Sequence, residues 1–203
     1  MKRHRVGSHT PEEMRWASNL GHVTEGVLLG TVGVLALLAG LGLAAWAAVA
    51  WPVLLLVAGL LLLLIMYPTH PFADWHLIWR DAQQRQHTLL ATGAAVAGAA
   101  ELARPAVPAL GYVWPAIAVG MGILFLIHEQ HGTGEAVLRA VWQHRLLGAL
   151  MVAAGALRFV DLLTPAPPWA ALWPVALLVA AALLFVYREP PGAYEPGAHQ
   201  AHH

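Results

Sequence analysis

Between Gly26 and Met66 the chain runs for 41 residues without a charged side chain. As a single helix that run would be roughly 60 Å long at 1.5 Å per residue, about twice the roughly 30 Å hydrocarbon core of a bilayer. It must therefore fold back on itself. The Trp46–Pro52 region is the expected break, with tryptophan at interface depth and Pro52 opening the second helix. The composition agrees with a membrane setting. Of the 203 residues, 59% are hydrophobic and 11% charged, against about 25% charged in a soluble domain.

The same reasoning divides the chain into six spans, at about 24–46, 52–67, 86–103, 110–128, 141–163 and 169–187. Residues 1–20 form a polar arm. In it Thr10-Pro11-Glu12-Glu13 reads as a helix start, with threonine as the cap, proline at the first position and acids in the first turn. The first apolar run is too long for a signal-peptide core and is read as a retained anchor. Span 3 is short of uncharged residues. Its crossing requires Gln86-His87 and Glu101 to lie at or inside the interfaces. Residues 191–203 read as a disordered, histidine-containing tail. The fold class is thus all-α integral membrane, with a transmembrane domain over 21–190.

The spans read as three tandem helical hairpins, at about 21–71, 86–132 and 143–190. Each opens on a histidine: His22, His87 and His144. Eleven residues later comes a glycine: Gly33, Gly98 and Gly155. Each hairpin then crosses at Trp-Pro: Trp51-Pro52, Trp114-Pro115 and Trp173-Pro174. The histidine-to-tryptophan separations are 29, 27 and 29 residues. Small residues spaced by four, Gly26 with Gly30 and Ala94 with Gly98, suit close helix approach. Nine Lys or Arg fall on the side of the histidines and termini and two on the other. The positive-inside rule then puts both termini at the cytoplasmic face of the cell membrane.

The repeat also registers charges. Fourteen residues after the histidine stand Glu101 and Arg158, and seventeen after it Arg104 and Asp161. Both layers lie about 21–25 Å from the histidines by helix rise. Two cross-pairs are expected, Glu101–Arg158 and Arg104–Asp161, because an unpaired charge within a membrane is costly.

His22, His87 and His144 share one depth at the heads of the odd-numbered helices. His128, closing span 4, comes to nearly the same depth and shares a helix face with His131, as Glu25 does with His22. Imidazoles from several helices with a nearby carboxylate are the donor set of a transition-metal ion such as zinc, copper or iron. Metal homeostasis or metalloenzyme assembly is the expected role, with Glu25 or Glu129 as ligand or orienting partner. Haem held between two facing histidines, in an electron-transfer protein, is the alternative. An accessory subunit of a membrane complex or a small transporter is the third possibility. For transport, Gly120-Met121-Gly122 is the nearest approach to a broken helix.

Several chemistries are excluded or lack a signature. With no cysteine there is no disulfide, thiolate metal site or thiol nucleophile. Zero formal net charge leaves no basic footprint for nucleic acid. No Walker loop, dinucleotide fingerprint or His-Glu-x-x-His helix is present, and no catalytic residues are assigned. The expected partners are the lipid bilayer and other membrane subunits.

Overall fold

The computed structural model describes residues 10–66, 82–127 and 135–189. They form six α-helices: α1 (Pro11–Gly40), α2 (Ala47–Met66), α3 (Ala82–Ala103), α4 (Val113–Leu126), α5 (Glu135–Leu163) and α6 (Pro167–Val186). A short 3-10 helix (Pro108–Tyr112) leads into α4. No strand occurs among the described residues.

α1 starts where its cap chemistry dictates. The Thr10 hydroxyl accepts from the Glu13 backbone N–H at 3.2 Å, and the Glu13 carboxylate accepts from the Thr10 N–H at 2.8 Å. This reciprocal pair satisfies two of the four N–H groups left open at a helix start. The first ten residues of α1, which the sequence assigns to a polar arm, are continuous with the apolar part of the helix.

The fold-back falls earlier than the Trp46–Pro52 region. α1 ends at Gly40, and Gly42 takes φ +69°. Leu43 N–H donates to the Leu38 carbonyl at 2.9 Å and Gly42 N–H to the Ala39 carbonyl at 3.1 Å. That is the 6→1, 5→2 pattern of a Schellman stop, and it depends on a residue tolerant of the left-handed region. Consequently Pro52 does not open α2 but lies inside it, as Pro174 lies inside α6. The Pro52, Pro115 and Pro174 rings are all fully buried. α4 runs unbroken through Gly120-Met121-Gly122.

Each helix packs on its neighbours in chain order, and α6 packs on α1, closing a ring. The α1–α6, α4–α5 and α2–α3 seams are the most extensive. Among the described residues the backbones of non-neighbouring helices stay apart, and only long side chains cross the ring. The interior is mainly alanine, joined by Trp51, Trp114 and Trp173. Large aliphatics such as Val34, Val57, Leu64, Val96, Ile123 and Val179 face outward. This inverts a soluble protein, in which such a continuous exposed apolar surface is not tolerated, and it suits helices surrounded by lipid. Five helical segments are long and apolar enough to cross a membrane: Arg15–Gly40, Ala47–Leu64, Pro108–Leu126, Leu138–Leu163 and Pro167–Val186. The chain is accordingly a multi-pass membrane protein. α3 is less apolar but has 22 residues and sits between α2 and α4.

The three main seams are closed by glycines. A methyl group on Gly98 would stand 2.6 Å from the Pro52 carbonyl oxygen, and one on Gly155 2.6 Å from that of Pro115. On the α1–α6 seam, Gly33 faces Leu178 and the Pro174 carbonyl, and Gly40 faces the Ala170 carbonyl. Neither carbonyl nor helix axis can give way locally. Gly155→Ala therefore lowers stability by about 1–3 kcal/mol, the cost of overpacking. Gly120 has nothing within 4 Å of an added methyl. Gly120→Ala is neutral or stabilising by up to about 1 kcal/mol through helix propensity. Thermal unfolding of the two variants in one detergent checks both signs.

Candidate functional site

The ring surrounds a partly open cavity of about 170 Å³ to which all six helices contribute. At one end stand His22 and Glu25 from α1, His87 from α3 and His144 from α5. All four are half-buried. The sequence-derived set is thus brought together in part. Three imidazoles and one carboxylate line a common space, while His128 and His131, like Glu129, lie outside the described residues.

Two of the rings are held by their own helices. The Nδ1 of His22 is 2.8 Å from the Ser18 carbonyl, and that of His144 is 2.8 Å from the Ala140 carbonyl. A carbonyl only accepts, so each Nδ1 carries the proton, and in the neutral ring Nε2 is the lone-pair nitrogen. This is the tautomer a metal-ligating histidine adopts when its other nitrogen is fixed by the protein. The His22 ring packs against Tyr187 at 4.7 Å, and the His144 ring against Phe125 at 5.8 Å. His144 also lies within electrostatic reach of His22, His87 and Glu189.

Glu189 is a site residue that sequence reasoning passed over. Its carboxylate accepts from the Ser18 hydroxyl at 2.8 Å and from the Tyr187 hydroxyl at 2.9 Å, and its backbone N–H donates to Asn19 at 2.7 Å. It ties the end of α6 to the α1 turn that carries His22. In the linear chain Glu189 stands beside the tail and 167 residues from His22. Only closure of the ring puts the two in one place. Among the described residues no three His, Asp or Glu side chains converge tightly enough to hold a metal ion. The three histidines line the cavity end as a rim and do not meet at a point.

The opposite end is closed by aromatic rings and buried charge. Trp173 meets Trp51 at 5.7 Å and Trp114 at 6.0 Å, both edge-to-face. The Arg158 guanidinium lies 5.1 Å over the Trp173 ring. Arg158 Nη2 is 3.7 Å from Glu101 Oε1, and Arg158 Nη1 is 2.5 Å from Asp161 Oδ2. Arg104 does not cross to Asp161. Its Nε is 2.9 Å from Glu101 Oε2 on its own helix. The reason is reach. α4 stands between α3 and α5, so one long Arg158 side chain bridges them, whereas the short Asp161 is taken by the arginine one turn before it. The indole N–H groups of Trp114 and Trp173 are buried without a hydrogen-bond acceptor.

No protein-family model, curated protein or solved structure matches the chain.

Glu101 is almost wholly buried, so removing either partner leaves charge uncompensated in a low-dielectric interior. Glu101→Gln and Arg158→Gln should each lower stability by about 3 kcal/mol. The double variant should lose clearly less than the sum of the two. Additive losses in thermal unfolding would show that the two groups are not coupled.

Proposed function

We propose that the chain is a six-span membrane protein of three tandem hairpins whose histidine rim binds a transition-metal ion at the cytoplasmic interface, serving metal homeostasis or metalloenzyme assembly. The observation that carries the proposal is that His22, His87 and His144, equivalent in the sequence repeat, line one end of one cavity.

The seams support the hairpin reading. Gly33, Gly98 and Gly155 stand at equal offsets from the three histidines, and they approach the carbonyls of Pro174, Pro52 and Pro115 respectively. Each glycine thus meets the Trp-Pro segment of the preceding hairpin's second helix, with the third hairpin preceding the first. One turn after the histidines the correspondence recurs. Gly26 meets the Ala181 carbonyl, Gly148 the Gly122 carbonyl, and Ala91 carbonyl meets Gly59. Equal offsets making equal contacts around a closed ring are what a threefold internal repeat produces. On this reading α3 is the sixth span, its buried Glu101 carried by Arg158. The excess of Lys and Arg on the histidine side supports cytoplasmic termini.

The donor chemistry suits the ion. The rim presents imidazole nitrogens, with the tautomer fixed at His22 and His144, one half-buried carboxylate in Glu25, and a second carboxylate, Glu189, bonded to the Ser18 hydroxyl beside His22. Zinc, copper(II) and iron all accept such a set. Coordination by three histidines requires the odd-numbered helices to draw together at this end. Haem is less well served, because about 170 Å³ is below the roughly 300 Å³ at which pockets for ligands of drug size begin.

The test is metal analysis by mass spectrometry on protein purified in detergent and truncated before His199, with a visible absorption spectrum. Stoichiometric metal is expected, lost in the His22→Ala/His87→Ala/His144→Ala variant. Glu189→Gln should weaken binding by about tenfold or more, because it loosens the Ser18 contact that holds the turn carrying His22. Folded protein that is metal-free and takes up no added zinc, copper or iron would overturn the proposal. A Soret band would replace it with the haem reading.

A further inference from the structure

The wall of the cavity is built in layers. Three residues after His22, His87 and His144 stand Glu25, Leu90 and Leu147, and all three line the same partly open space. Seven residues after the histidines stand Leu29, Ala94 and Met151, which line it too. By helix rise these layers lie about 4.5 and about 10 Å beyond the histidines. Glu25 is the exception in this wall. Among the described residues lining the cavity it is the only Asp, Glu, Lys or Arg. Its half-buried carboxylate has no hydrogen bond or ion pair among the described residues, whose printed ion pairs all lie at the opposite end. The fold does not call for a charge at this offset, because α3 and α5 carry leucine there. A carboxylate set into an apolar wall is costly unless a cation compensates it.

A hydrated metal ion at the mouth would leave the apolar wall beyond Glu25 unused. A cation that carries its own apolar body uses both. We propose that the cavity binds one organic cation, a primary ammonium on a compact apolar body such as cyclohexylammonium. The ammonium has three N–H donors and no acceptor. It donates to Glu25 and to the Nε2 lone pair of His22, one turn away on the same helix face. The body packs on Ala94, Met121 and Met151. The cavity, mouth included, is about 170 Å³, and one of about 150 Å³ holds benzene, so head and body together are of that size. The site goes beyond the metal reading and does not rest on it, because Glu25 supplies the charge and the wall supplies the shape.

The probe is radiolabelled cyclohexylammonium, given to metal-free protein in EDTA so that the outcome is independent of the metal analysis. Equilibrium dialysis compares lipid nanodiscs with and without the protein, which subtracts partition into lipid. Saturable uptake of one probe per chain is expected. Methylammonium, which has the charge without the body, should bind at least about tenfold more weakly. Glu25→Leu installs the residue found at the other two offsets, and Glu25→Gln keeps the size and removes the charge. Having both guards against one failing to fold, which thermal unfolding reads. Each should weaken cyclohexylammonium by about tenfold to a hundredfold, the range for a hydrogen bond to a charged group. Ala94→Leu should abolish uptake by filling the space for the body. No saturable uptake, equal uptake of methylammonium, unchanged binding in both folded Glu25 variants, or preferential uptake of cyclohexanecarboxylate would overturn the proposal.

Discussion

The structure depends on how closely its helices approach at the three extensive seams. Helices in lipid gain little from burying apolar side chains against one another, because the surrounding acyl chains are as apolar as leucine. What remains is packing and the fit of backbone to backbone. In this chain the fit is supplied by Gly26, Gly33, Gly59, Gly98, Gly122, Gly148 and Gly155, most of which abut a carbonyl or amide of the facing helix. The alanine-rich interior and the outward leucines and valines are two sides of that arrangement. Small residues let axes close, and the large ones meet lipid instead of holding the ring apart.

That closeness has a consequence for the interior. Six helices packed in chain order and closed on themselves cannot all touch at the centre, so space is left along the axis. The far end is filled by three indoles and by Arg158, which reaches from α5 to Glu101 on α3 and covers Trp173. The near end is lined by shorter side chains and imidazoles and keeps a cavity. The polarity of the molecule along its axis thus follows from where the bulky residues fall in each helix. Arg158 deserves its membrane cost only because it is shared. It neutralises Asp161, contacts Glu101 and lies over an aromatic face, the combination in which a buried cation is tolerated.

Much of this was legible in the chain. The 41-residue uncharged run forces a membrane reading and a fold-back. The Thr10 cap could be read from four residues. The equal offsets of His22, His87 and His144 placed three side chains around one cavity. Three features were not legible, each for a physical reason. The first turn sits at Gly42 and not at Pro52, because a left-handed glycine ends a helix completely whereas a proline within its early part removes one hydrogen bond and leaves the helix intact. The Arg104–Asp161 pair does not form, because offset along a helix fixes depth but not which helix stands between. Glu189 was hidden because its relation to His22 exists only once α6 has closed on α1.

The last of these bears on how the rim could work. The imidazole of His22 is held by Ser18, whose hydroxyl donates to Glu189, whose backbone in turn donates to Asn19. His22 is therefore oriented by the junction between the first and last helices. His144 is oriented by the Ala140 carbonyl of its own helix. Drawing the three histidines toward one ion requires α1, α3 and α5 to tilt inward at their histidine ends. The glycine seams resist sliding, since a shift of one residue would set side chains where only hydrogen fits.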